Sequence, residues 1–211
     1  TGLLIASKLI AMAALVMCAG LVISNFIPRK GDRCSRPAKL EQGELQSYLC
    51  QELVVPADSE CTLTVPLGGP EQESFKVTDT KGAEMLQVVF RMLQPVANRI
   101  GQVLLTTSTG EVLAQCSRVS ECQLLGAAGE LFGTLSRDDN EERYTLHVHD
   151  VEEMHFTVSA QPLAINMTDG RGRLLAVFEM PKHAPAGTLR VAPMMDVSIA
   201  LCAALAINHL A

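Results

Sequence analysis

From residue 61 to residue 192 the chain alternates apolar and polar positions with a period of two. Phe75 and Val77 flank Lys76, and Val112, Ala114 and Cys116 alternate with Leu113 and Gln115. Tyr144, Leu146 and Val148 alternate with Thr145 and His147, and Met154, Phe156 and Val158 with His155 and Thr157. Ile100, Val103 and Leu105, then Leu131, Gly133 and Leu135, then Leu174, Ala176 and Phe178, and finally Leu189 and Val191 extend the series. Successive strand side chains point to opposite faces, so this period predicts strands with one buried face. Turn-forming residues separate the runs at 79–82, 108–110, 126–129, 138–140 and 169–172. About a dozen strands of typical length fit into this stretch. No helical period interrupts them, and many short, evenly spaced strands predict a barrel or sandwich.

The pattern changes once more after Pro193. From Val197 to Leu205 only Ser198 is polar, and Asp196 stands where a helix N-cap would accept from first-turn N–H groups. A helix that is apolar all round is buried on every side. This one, at 195–210, is shorter than the roughly 20 residues that cross a bilayer, so protein is expected to sheathe it; a short or tilted membrane helix is the alternative. About twelve antiparallel strands close into a barrel too wide for its own side chains to fill. The two readings therefore join: an all-β, about twelve-stranded antiparallel barrel over 61–211, with the C-terminal helix as its filling.

Residues 9–27 form a second apolar run of 19 residues without a charge, enough to span a bilayer. Pro28 ends it, and Arg29, Lys30 and Arg33 follow. The run predicts a transmembrane helix within 1–30. Its basic flank predicts a single-pass protein whose body lies on the cytosolic, stromal or matrix side of an organelle membrane, thylakoid or inner mitochondrial. The core of a cleaved signal peptide would be shorter, with its positive charge in front. Ala13, Ala14 and Gly20 give the helix small residues suited to close contact with other membrane helices. The sequence opens on Thr1 and not on Met, as it would after removal of a targeting segment or if it began part-way along a longer chain. Residues 31–60 read as a polar linker, with a short helix over 42–53 or an irregular spacer as the two options.

Composition narrows the function. The net charge is −6, and residues 1–33 carry +3, so the body carries −9. An acidic body is a poor partner for nucleic acid or for an anionic membrane surface. Seven cysteines include no C-x-x-C pair, which argues against both a disulfide framework and a zinc site. Cys18 and Cys202 lie in the apolar helices and read as small buried hydrophobes.

Four stretches carry a family resemblance: F-x-V-x-D-x-x-G at 75–82, G-E-V-L-A at 110–114, G-R-L-L-A at 172–176, and the closing L-R-V-A-P-M-M-D-V-S-I-A-L at 189–201. Their order, with the Asp-led apolar helix last, resembles the tubby-like superfamily, which includes LURP-one-related proteins and phospholipid scramblases. The resemblance implies a twelve-stranded barrel around a buried hydrophobic helix. It also implies lipid head-group binding through basic residues. The basic residues here, Arg118, Arg137, Arg143, Arg171, Arg173, Lys182 and Arg190, are scattered along the sequence.

Candidate chemistry is sparse. His147, His149 and His155, near Asp150, Glu152 and Glu153, form the densest set of possible metal ligands. On a strand, His147 and His149 would share a face, with His155 across a turn. The simpler reading is the solvent face of a hairpin. Residues 138–142 have the acids of a calcium loop without its spacing. No phosphate loop, nucleophile elbow or zinc-binding helix occurs. Asn166-Met167-Thr168 fits an N-glycosylation acceptor, which matters only in a secretory lumen.

The expected function is a non-catalytic, membrane-anchored accessory subunit of a larger membrane complex, with a photosystem or a respiratory assembly as natural hosts. Its partners would be other membrane subunits, met through the N-terminal helix, and membrane lipids. It would have no intrinsic cofactor beyond lipid or pigment held at that helix. A phospholipid-binding or scramblase-like protein is the alternative, and a metal enzyme built on the histidines is a third.

Overall fold

The computed structural model describes residues 48–66, 73–94, 99–118, 121–138, 142–149, 152–160, 163–182 and 184–210. The expected membrane helix at 1–30, with Ala13, Ala14 and Gly20, and the linker up to residue 47 lie outside the described residues. Among those described, no helix is long and apolar enough to cross a membrane.

Twelve strands follow one another: β1 (Cys61–Pro66), β2 (Ser74–Asp79), β3 (Glu84–Gln94), β4 (Arg99–Thr106), β5 (Val112–Arg118), β6 (Cys122–Gly126), β7 (Leu131–Arg137), β8 (Arg143–Val148), β9 (Glu152–Ala160), β10 (Leu163–Asp169), β11 (Leu174–Met180) and β12 (Ala186–Val191). Each pairs antiparallel with the next. β1 pairs with β12 from Cys61↔Val191 to Pro66↔Ala186, which closes the barrel. The alternating apolar positions face inward: Leu63, Val77, Val88, Leu105, Leu124 and Leu146 are all nearly or wholly buried. Closure leaves no free edge, so every strand is paired on both sides.

Four of the hairpins are copies of one design. In β2–β3, β4–β5, β6–β7 and β10–β11, the glycine (Gly82, Gly110, Gly129, Gly172) donates its N–H to the carbonyl three residues back. That earlier residue donates in turn to the carbonyl just past the glycine. The glycines have φ between 76° and 89°, the left-handed region that favours Gly in this turn. One residue beyond each turn pairing, the register slips by one: Met85, Leu113, Phe132 and Leu175 are the extra residues. Such bulges bend a strand and increase its twist, which helps a sheet close. They also explain a departure from the sequence pattern. Leu131 was expected to share the inner face with Gly133 and Leu135. The bulge turns Phe132 inward at 5 % exposure and leaves Leu131 outside at 52 %.

Because the strands alternate in direction, these four tight turns lie at one end of the barrel. The connections β1–β2, β3–β4, β5–β6, β7–β8, β9–β10 and β11–β12 lie at the other. After β12 the chain turns at Met194, a non-glycine residue at φ 64°, and enters the lumen as α1 (Val197–His209). Every residue from Val197 to Ile207 is buried. Ala200, Ala203, Ala204 and Ala206 keep the helix thin enough for inward strand side chains to pack around it. Ile199, Leu201 and Leu205 fill the remaining space at 0–2 % exposure, each contributing about 1.5–3 kcal/mol of apolar burial.

Residues 48–60 cross the tight-turn end. Of the helix expected at 42–53, the described part holds a single 3-10 turn, Gln51–Leu53. Leu49 and Val55 are buried against the core. Val55 N–H donates to the Met195 carbonyl at 2.9 Å, and Met194 N–H to the Val55 carbonyl at 2.8 Å. A one-residue bridge joins Val54 to Asp196.

Candidate functional site

A fully buried, hydrogen-bonded carboxylate lies where residues 48–55 meet the start of α1. Asp196 is fully buried. Its Oδ1 accepts from the Ser198 N–H at 2.8 Å and the Ser198 hydroxyl at 2.5 Å, and its Oδ2 accepts from the Cys50 N–H at 2.7 Å. Burial pushes its pKa up, while the N–H and O–H donors of Cys50, Ser198 and Leu49 pull the other way. The positive end of the helix dipole also favours a carboxylate there. Burial, and then the nearby Asp196, push the Cys50 thiol up to about 11. The sequence marks Asp196 as a cap, and it is one. Its second oxygen, which fastens a segment 146 residues away in sequence, has no local signature. This carboxylate spends its acceptors on its own chain, and the arrangement suits anchoring, not proton transfer.

The histidines do not converge. His147 faces outward on β8 opposite Glu153, with Nδ1 3.4 Å from Glu153 Oε1. His155 faces outward on β9 opposite Thr145, with Nδ1 3.2 Å from the Thr145 hydroxyl. His149 does not share their face, because β8 ends at Val148 and His149 adopts φ 48° in the turn. Its ring packs edge-on against Phe132, with centroids 6.0 Å apart. Among the described residues, no group of three or more His, Cys, Asp or Glu is placed to hold a metal ion.

The cysteines among the described residues are free thiols. Cys116 on β5 meets Cys202 on α1 inside the barrel, and this thiol contact together with burial pushes the Cys116 pKa well up. Burial likewise pushes Cys61 and Cys122 up to about 12. Thiols held protonated in an apolar interior are poor nucleophiles and poor metal ligands.

The basic residues divide between the two ends. Arg171 and Arg173 sit at the tight-turn end, where Arg173 Nε donates to Asp169 Oδ2 at 2.7 Å. Arg190, near that end, pairs with Glu179 at 3.4 Å. Arg118, Arg137, Arg143 and Lys182 belong to the opposite end. Arg118 donates to the Leu210 carbonyl at the C-terminus of α1, and the Arg137 guanidinium lies 5.8 Å from the centre of the Tyr144 ring. No single pocket gathers them all. Asn166 of the glycosylation motif is exposed on the outer face of β10.

No family model matches the chain, and no curated protein matches it in sequence. The structure is similar to the crystal structure of a protein from Arabidopsis thaliana, at 14 % identity and a TM-score of 0.51. The match covers 71 % of this chain and 88 % of the other. At this identity the likeness shows the fold alone. The chain is thus a closed twelve-stranded antiparallel barrel with its C-terminal helix inside.

Proposed function

We propose that the chain is a non-catalytic accessory subunit of a larger membrane assembly, anchored by residues 9–27, with the barrel on the side of the basic flank. One observation carries this reading: the lumen, where a barrel of this size would otherwise hold a ligand, is filled by α1 and capped by residues 48–55. What is left to act with is the outer wall. The uncharged run at 9–27, with Ala13, Ala14 and Gly20, supports docking among other membrane helices, and lipid or pigment would be held there. A photosystem or a respiratory complex fits a host of this kind.

The test is purification from native membranes in mild detergent, followed by sizing. Co-migration with a defined set of membrane subunits is expected; recovery as a free monomer overturns the proposal.

Phospholipid binding is the second reading, favoured by Arg137 and Arg143, which are both exposed on neighbouring strands at one rim. It predicts saturable binding to anionic vesicles that weakens with salt, and flat binding curves would dismiss it.

A further inference from the structure

Two of the tight turns start with an aspartate, and the two carboxylates are held alike. Asp79 Oδ1 accepts from the Lys81 and Ala83 N–H groups, both at 2.8 Å. Asp169 Oδ1 accepts from the Arg171 and Arg173 N–H groups at 3.0 and 2.8 Å. The second oxygens differ. Asp169 Oδ2 accepts from Arg173 Nε at 2.7 Å. Where the first turn would need that arginine it has Ala83, and Asp79 Oδ2 is buried with no hydrogen-bond partner. Asp79 is 5 % exposed, and a buried carboxylate oxygen without a donor is costly. The twin turn shows which group this seat accepts: a guanidinium laid back over the turn.

The described bases at this end do not fill the seat. Lys81, exposed on the same turn, does not reach the oxygen, and Arg173 and Arg190 are engaged by Asp169 and Glu179. The surroundings attract a cation: Glu52, Asp58 and Glu111 are exposed at this end. The chain carries the complement itself. Residues 29–39, which lie outside the described residues, hold Arg29, Lys30, Arg33, Arg36 and Lys39 against a single acid, Asp32. They are tethered at the right place. β1 separates β2 from β12, and Leu63 of β1 pairs with Asp79, so the seat is one strand away from where residues 48–60 feed into the barrel. The nine residues from 39 to 48 reach up to about 30 Å, and a tether of this length keeps the basic stretch at a roughly millimolar effective concentration. We infer that Asp79 is the seat for an arginine of residues 29–39, which latches the basic stretch onto the tight-turn end of the barrel.

The seat is pre-organised, because two backbone donors already fix the carboxylate, and its ordering cost falls on the arriving arginine alone. The exposed acids around it add an attraction that salt screens. With the latch closed, the tight-turn end of the barrel faces whatever holds residues 9–27. The latch goes beyond the accessory-subunit reading and does not need residues 9–27 to cross a membrane.

The experiment uses the full chain in mild detergent with p-benzoylphenylalanine in place of Thr80, exposed beside Asp79. The control places it at Ala128, exposed on the β6–β7 turn of the same rim and beside Glu130. After irradiation, peptide mass spectrometry is expected to find adducts within the chain to residues 29–39, several-fold more from position 80 than from 128, with the yield falling as salt is added. Ala83→Arg, whose guanidinium fills the seat from its own turn, should cut the yield from position 80 several-fold while leaving the far-UV circular dichroism unchanged. Asp79→Asn should cut it as well. Equal yields from the two positions, adducts only to other parts of the chain or to a second chain, or a yield indifferent to Ala83→Arg would overturn the inference.

Discussion

Replacing Asp196 with alanine tests how the barrel is fastened at its tight-turn end. The carboxylate accepts from the Ser198 N–H, the Ser198 hydroxyl and the Cys50 N–H. In the variant the hydroxyl can rotate to another acceptor, while the Ser198 and Cys50 N–H groups, whose bonds are the best defined, lose their acceptor in a buried and a part-buried setting. An unsatisfied buried donor costs about 1–3 kcal/mol, so the loss is roughly 2–6 kcal/mol. Relief of the buried charge offsets part of this, leaving about 3 kcal/mol. For a domain of this size that lowers the thermal midpoint by about 6–12 °C. Asp196→Asn keeps one acceptor oxygen but turns a donor toward Cys50, so about half the loss is expected. The pH dependence is a second check. Burial holds the Asp196 pKa above its ordinary 3.8, so between those two values the folded state binds the proton that the unfolded state releases. Wild-type stability from this group is therefore full below 3.8 and declines as pH rises through the folded-state pKa. The gap to the alanine variant should widen on acidification. The assay is urea unfolding of the full chain in detergent, followed by far-UV circular dichroism across a pH series. A neutral-pH difference under about 1 kcal/mol, well below the hydrogen-bond estimate, or a gap that narrows in acid would refute the reasoning.

Three further outcomes follow from the repeated hairpins and the close packing. Asp79 Oδ2 is buried without a hydrogen-bond partner, whereas Asp169, at the same place in its hairpin, has Arg173 Nε at 2.7 Å. Ala83→Arg supplies the missing cation and should raise stability by about 0.5–1 kcal/mol in low salt, with the gain fading as salt is added. Gly133→Ala would put its Cβ 2.6 Å from the His147 backbone oxygen, which cannot swing away; a loss of about 1–3 kcal/mol by chemical denaturation is expected. Burial raises the Asp169 pKa, but hydrogen bonds from Arg173 and Arg171 outweigh it and hold the carboxyl below 3.8. Its stabilisation is therefore present above 3.8 and lost as pH falls through the folded value. The deficit of Arg173→Ala should shrink in acid, as read from urea midpoints in neutral and acidic buffer.

Much of the architecture was legible because a strand's burial is written locally, in every second residue. Phe75 and Val77, or Ala114 and Cys116, declare an inner face without reference to the rest of the chain. The all-round apolar run behind Asp196 likewise could only be a buried helix or a membrane one, and its length favoured the first. The phase of the alternation near each tight turn was not legible, because a bulge adds a residue that the pattern cannot count. Phe132 and Leu131 exchange faces for that reason. His149 was misplaced beside His147 for a related one: the strand stops one residue earlier, and a left-handed backbone turns the ring onto Phe132. Burial of Leu49 and Val55, and the bond from the Cys50 N–H to Asp196, depend on contacts between residues far apart in the chain. Nothing in the local composition of 48–55 announces them.

The order of the elements has a consequence for how the molecule is made. All twelve strands precede α1, and β1 can be paired on both sides only once β12 exists. During synthesis the wall is therefore produced before its contents, as an incomplete ribbon of hairpins with a greasy inner surface and two open edges. Each repeated turn can form early, since it joins near neighbours, but the ring must stay ajar until the last segment has entered. A ribosome stalled short of Asp196 would release a sheet ready to stick to others, and the cell's handling of that half-made state is as much a part of this fold as the finished barrel.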